Sequence, residues 1–454
     1  MRATLTLALV LVAVGSLLPA RLPAQQAPPI PHHTEPYQLS SGLMAADETE
    51  EQATFAQIVQ VSGAPWLRIH FADYNLGQDS FLTLTSLEDN ATQHFTSATL
   101  PLYGNSSATF NGDAVEIVLH VAPGEDNIFY RIEEVTVGEH PQVVAPEEIC
   151  GTVDDRVSTN DDAVGRIVYD HGCTGWIASN GVCLSAGHCR GTNQLLQFNV
   201  PASDPDGTIN FPGPEDQYPI VWIDSATDGS GVGDDWAVFR CEANSETGLT
   251  PIQAQDKFYR MWKDQATSSG SYTIRITGYG VDGPAPDYGD GPRNADSRTL
   301  QTDAGPYRGE EFQGSSDCIQ RYVVDTENAG SGSPIIIDGT SNTIGIHTNG
   351  GCSASGGANK GTGFENNSLE SVIDNFPGSN VVYADTYHPN SIEDGTVMRP
   401  FDTVADAVST ASSGAVISIV KGTYSKASGN TFTVGEDGKA LTFEAPVGTV
   451  TIGN

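Results

Sequence analysis

The chain has 454 residues, in which 57 Asp and Glu stand against 21 Lys and Arg for a formal net charge of −36. An acidic excess of that size, spread along the chain, repels DNA, RNA and anionic membrane surfaces and excludes nucleic-acid binding as a function class. The length calls for about two to four domains rather than a single core.

Met1 and Arg2 precede ATLTLALVLVAVGSLLPA, an apolar stretch too short and too poorly flanked to span a bilayer, and a small-residue cleavage site follows at Ala24. Residues 1–24 therefore read as a signal peptide and the protein as secreted and extracellular. No later apolar run reaches the roughly 20 residues that a membrane span needs. Seven cysteines suit an oxidising compartment, and their odd number leaves at least one without an intramolecular partner. Residues 25–52, rich in Gln, Pro and His at their start, are expected to be a disordered leader.

From 53 to 140 the chain gives short alternating runs (FAQIVQV, WLRIHF, FLTLTSL, SATFNG, AVEIVLHV) separated by Gly, Asp, Asn and Pro turn signals. In AVEIVLHV, Val115, Ile117 and Leu119 face one side and Glu116 and His120 the other, which predicts an antiparallel β-sandwich with one buried face per sheet. It carries no catalytic constellation. EHPQVVAPEEIC then reads as a connector to a second all-β domain, residues 147–378, which holds every cysteine in it or at its edge.

The last segment, 381–454, opens with a helix predicted to be capped by Asp402 and lined by Val404, Ala407, Val408 and Ala411, and continues with strands AVISIV, ALTFEA and TVTIG. Its pattern, DGT…RPFDTVADAV…G…ISIVKGTY, resembles the opening cap and first coils of right-handed parallel β-helices of the pectate-lyase type. The resemblance implies a short structural tail, with polysaccharide or cell-surface contact as its possible use.

The chemistry concentrates in the middle domain. Ser331, set between glycines in ENAGSGSPIIIDG, can act as a nucleophile only if a histidine takes its proton and a carboxylate holds that histidine. His188, in VCLSAGHCR, ends an apolar β-like run, and Asp235, in GDDWAVFR, enters one. LSAGHC, DDWAVF and AGSGSPI, in this order, resemble the three signatures of chymotrypsin-like serine peptidases. The resemblance covers about half the chain and implies a double β-barrel, with Ser331 as nucleophile, His188 as general base and Asp235 as its orienting carboxylate. The backbone N–H groups of Ala329 and Ser331 would form the oxyanion hole.

Two departures matter. Ala329 stands where the family carries glycine, which costs strain if the position needs φ > 0. Gly330 replaces the acid that pairs with a freed amino terminus in trypsin-like zymogens, and in this the chain is similar to bacterial glutamyl endopeptidases of the V8-like group. The chymotrypsin-like resemblance implies the disulfide Cys173–Cys189, with Cys318 and Cys352 able to bridge beneath the specificity pocket, and Cys150 and Cys241 open to pairing with Cys183 left free. For specificity, His347 and Thr326, with Thr348 and Gly350 nearby, favour Glu or Asp at P1, whereas Asp325 stands where trypsin pairs with Lys or Arg. Protein or peptide substrates are implied, with no cofactor.

Other patterns fail. GYGVDG fits GxGxxG but opens no helix for a pyrophosphate, and DSATDGSGVGDD lacks the closing glutamate of a calcium loop. HExxH and CxxC are absent, so no metal is expected. The rival to a secreted serine endopeptidase is a peptidase-like surface-binding or adhesion protein with weak or no turnover.

Overall fold

Alternating runs punctuated by turn residues give many short strands and little helix in the computed structural model, which describes residues 29–49, 53–140, 149–227, 232–282, 294–313, 317–376, 378, 380–433 and 438–453. The expected signal peptide, its cleavage site and most of the connector before Cys150 lie outside the described residues, as do Gly283 and residues 228–231 of the two rejected loop patterns.

The amino-terminal unit is two four-stranded antiparallel sheets with a shared core. In strand Ala114–Val121 the side chains of Val115, Ile117, Leu119 and Val121 are buried in that core, as the alternation predicts. The disordered leader is corrected. His32–Ser40 is an edge strand paired with Phe129–Gly138, and Tyr37 and Leu39 pack on the core. Pro36 adjoins the irregularity in that pairing, the kind of edge position where a missing N–H is tolerated.

Six antiparallel strands then close into a barrel: Val164–Val168, Cys173–Ile177, Cys183–Ser185, Leu195–Gln197, Gln217–Ala226 and Trp236–Cys241. A second ring is built from Thr273–Gly278, Gln301–Gln313, Asp317–Tyr322, Pro334–Ile337, Asn342–Asn349 and Asn359–Gly363, closed by pairing of its last two strands. This is the all-β, chymotrypsin-like double barrel.

The amino-terminal unit docks on the first barrel through shared apolar core, where Trp66 packs against Tyr169 and Phe211, and through buried polar groups. The Gln217 side-chain amide accepts from the Thr109 N–H at 3.0 Å and donates to the Thr109 carbonyl at 2.9 Å, standing in for a strand partner. Arg68, nearly fully buried, donates to the Asn193 carbonyl at 2.7 Å and lies 4.3 Å over the Tyr169 ring.

In the tail, Val381–Ala384, Val416–Ile419 and Thr442–Glu444 pair in parallel, as do Gly422–Tyr424 and Val450–Ile452. Helix Val404–Thr410 is capped by Thr403, whose hydroxyl accepts from the Asp406 N–H at 3.0 Å, and not by Asp402. Tyr383, Val397 and Met398 share a core with Trp176, Trp236 and Met261 of the barrels. Arg260 makes a two-pronged pair with Asp385 at 2.6 and 3.1 Å while lying over the Phe258 and Tyr387 rings. Removing one member of such a shielded pair leaves the other charge without its partner. Asp385→Ala is therefore expected to cost roughly 3 kcal/mol, read as a lower unfolding temperature and faster proteolytic release of the tail.

Candidate active site

His188 and Asp235 meet because their strands are neighbours. Cys183–Ser185 pairs with the start of Trp236–Cys241, so the 3₁₀ turn Gly187–Cys189 lies beside the residue that enters the second strand. The Cys173–Cys189 disulfide ties that turn back to the barrel. Asp235 is fully buried and spends both oxygens on one residue: Oδ1 accepts from the His188 N–H at 3.0 Å and Oδ2 lies 2.6 Å from His188 Nδ1. Its own backbone is fixed by Thr362 of the second barrel, which accepts from the Asp235 N–H at 3.1 Å and donates to its carbonyl at 2.8 Å. Sequence reasoning missed Thr362, whose only local signal is a threonine in a glycine-rich strand. His188 Nε2 is buried without a hydrogen-bond partner.

Ser331 is fully buried and ends a turn whose carbonyls all have partners inside the domain. The Glu327 carbonyl accepts from the Gly330 N–H at 2.8 Å, Asn328 from Val281 at 2.8 Å, and Ala329 from the Thr174 hydroxyl at 3.2 Å. Those of Gly330 and Ser331 accept from the Ser333 hydroxyl at 2.6 Å and the Thr174 N–H at 2.9 Å. Ala329 takes φ +71°, the left-handed conformation in which a side chain is strained, and it keeps the turn all the same. Gly332 is obligatory: at φ +92°, a Cβ there would stand 2.1 Å from the Thr174 carbonyl oxygen and 2.3 Å from the Ser185 hydroxyl. The Ser331 carbonyl thus rests against strand Cys173–Ile177, which the Cys173–Cys189 disulfide ties to the His188 turn, with Cys189 Sγ 3.8 Å away.

Among the residues weighed for specificity, Asp325 is a structural cap. It is buried, its Oδ1 accepts from the Cys150 N–H at 2.7 Å and its Oδ2 from the Asp155 N–H at 2.8 Å, while burial raises its pKa to about 6. The Thr326 hydroxyl accepts from Asn359 Nδ2 at 2.8 Å, the Thr348 hydroxyl donates to Asn349 Oδ1 at 2.7 Å, and Gly350 follows the strand, partly exposed. His347 is fully buried against the segment that follows Ser331: its carbonyl accepts from the Gly332 N–H and its N–H donates to the Ser333 carbonyl, both at 2.8 Å. Its Nδ1 is 2.5 Å from the Tyr322 hydroxyl, and its Nε2 has no hydrogen-bond partner. Burial, reinforced by the nearby His188, pushes its pKa down to about 3.

The cysteine pairing is corrected. Cys150 bonds Cys352, replacing both Cys318–Cys352 and Cys150–Cys241, because Asp325 draws the Cys150 segment to the edge of the second barrel. Cys318 instead points at Glu310, 3.0 Å away, and Cys183, Cys241 and Cys318 are buried free thiols. Cys173, His188 and Cys189 form the single cluster of three possible metal ligands among the described residues, and its two sulfurs are joined to each other.

A family model described as a protein of unknown function (DUF1565) matches residues 388–441. Comparison with curated proteins finds no match. Among solved structures, a thermostable serine protease AL20 from an extremophilic microorganism is similar at 14% identity, covering 46% of this chain and 97% of its own, with a TM-score of 0.33. Rv3671c from M. tuberculosis H37Rv, in an inactive form, aligns at 12% identity over 48% of this chain and 89% of its own, with a TM-score of 0.31. HBP aligns at 10% identity over 50% and 98%, with a TM-score of 0.35. The double barrel itself is read from the strand pairing.

The site yields two predictions. Gly332→Ala displaces the turn and lowers the unfolding temperature, checked by calorimetry. The second concerns pH. The folded chain keeps His347 neutral down to about pH 3, whereas the unfolded chain takes up a proton near 6.5, so this group's stabilisation is lost as pH falls between those values. Asp325 acts with the opposite sign and is common to parent and variant. Stability of His347→Gln should therefore fall less steeply than the parent's from pH 6.5 to 4, by up to about 1.4 kcal/mol per pH unit, in urea titrations at each pH.

Proposed function

We propose that the chain is a serine endopeptidase that cleaves protein substrates through Ser331, His188 and Asp235. The observation that carries this reading is the His188–Asp235 pair: a buried carboxylate spent entirely on one histidine leaves Nε2 as the ring atom that can exchange a proton. Ser331 Oγ adds to the scissile carbonyl as its proton passes to His188 Nε2. Asp235 stabilises the imidazolium without taking the proton. Collapse of the adduct delivers that proton to the leaving amine and leaves an acyl-enzyme, which water cleaves by the same route.

The Ala329 and Ser331 amides are assigned to the oxyanion, a role supported by the inward engagement of the turn's carbonyls. Glu or Asp is assigned to P1. Asp325 has both oxygens on backbone amides and offers no free carboxylate to Lys or Arg. With the Tyr322 hydroxyl donating to Nδ1, His347 presents a neutral Nε2–H that a substrate carboxylate can accept from, next to the nucleophile strand. The two disulfides fit an extracellular workplace.

Digestion of an unstructured protein by the purified chain, with cut sites mapped by mass spectrometry, should give cuts after Glu and Asp that a fluorophosphonate abolishes by labelling Ser331. Ser331→Ala and His188→Ala should each lower kcat by about 10,000-fold or more with circular dichroism unchanged. Cuts after Lys or Arg would reject the acidic P1, and absence of both cleavage and labelling would leave a binding protein.

A further inference from the structure

Behind the nucleophile turn lies a buried charge cluster that the chemistry above does not use. The Arg156 side chain is 5% exposed, and its Nε and Nη2 meet Asp154 Oδ1 and Oδ2 at 3.0 and 2.7 Å, while Nη2 also meets Asp282 Oδ1 at 2.7 Å. The guanidinium lies over Gly280, where an added Cβ would stand 2.4 Å from Arg156 Nη1 and 3.3 Å from Glu327 Cβ. Arg156, Asp325, Glu327, Gly330 and Ser333 enclose a cavity of about 20 Å³, room for one water. Burial alone would push the guanidinium pKa down, but Asp282, Asp154 and Glu327 outweigh it and hold the group charged.

The turn in front has an alanine in left-handed conformation, costing about 1–2 kcal/mol, so it needs an outside hold. Its first residue, Glu327, is 2% exposed; it and the guanidinium flank Gly280 and line the same cavity. Arg156 reaches it from a segment that is itself pinned twice, by the Cys150–Cys352 disulfide and by Asp325, which accepts from the Cys150 and Asp155 amides.

On the peptidase reading, we propose that Arg156 is a positioning residue: clamped by Asp154 and Asp282, it sets its charge across that cavity from Glu327 and holds the Glu327–Ser331 turn in its working shape with the amino-terminal unit still attached. The positive charge behind the nucleophile comes from inside the chain, and no cleavage ahead of Cys150 is needed to supply it.

The test uses the full chain. Glu327→Gln keeps the shape, removes the turn's charge and leaves Arg156 its two aspartates, so the variant folds even where Arg156→Lys does not. For a small ester or peptide substrate, Glu327→Gln is expected to lower kcat by about 10- to 100-fold, with KM within about twofold and the unfolding temperature little changed. The rate of fluorophosphonate labelling of Ser331 falls in parallel. Parental kcat in both variants would overturn the proposal, as would a lower unfolding temperature with full kcat retained in the cold, or a parent that becomes active only after cleavage ahead of Cys150. A parent that neither hydrolyses nor labels, cleaved or whole, would instead strike the peptidase reading on which this rests.

Discussion

The Ser331 turn depends on one constraint: five consecutive carbonyls, from Glu327 to Ser331, must be engaged inside the domain at once. A backbone carbonyl buried without a donor is costly, so such a turn exists only where donors converge on it. Thr174 comes from the first barrel and Val281 and Ser333 from the second, so neither barrel alone can hold the turn. The same division governs Asp235, which belongs to the first barrel yet is fixed by Thr362 of the second. The site is a property of the junction.

Much of this was legible in the sequence where the signal was local. Period-two alternation marked Ala114–Val121, and a histidine closing one apolar run and an aspartate opening another marked two strands that turn out to be neighbours. What stayed hidden was set by residues far away along the chain. Nothing around Asp325 indicates that amides of Cys150 and Asp155 will claim it, and nothing around Cys318 indicates that its strand points it at Glu310. Composition misled at His32–Ser40, where a Pro-containing segment is rescued as an edge strand by the packing of Tyr37 and Leu39. Arg156 offered only a lone basic residue after two aspartates, and its clamp appears only when Asp282 is brought to it from far along the chain.

Both accessory units share apolar core with the double barrel and differ in the polar contacts they add. The amino-terminal sandwich packs Trp66 against Tyr169 and Phe211 of the first barrel and adds buried polar contacts, Gln217 with Thr109 and Arg68 with Asn193, that fix register as much as they stabilise. The tail shares apolar core with the barrels through Tyr383, Val397 and Met398, and adds the Arg260–Asp385 and Arg399–Asp264 pairs at its edges. The first attachment adds polar specificity to its shared core. The second makes the tail part of the folding unit.

The Cys150–Cys352 bond spans 202 residues and so closes a covalent ring around the first barrel and five of the six strands of the second. In the chain-entropy picture a ring of that size constrains the unfolded ensemble by ~5 kcal/mol. Its topological effect is separate. A nick at any loop inside the ring, whether by a neighbouring copy or a foreign protease, leaves His188, Asp235 and Ser331 in one covalent piece. Damage that would part an open chain into fragments is here held as a gap that the folded barrels can tolerate.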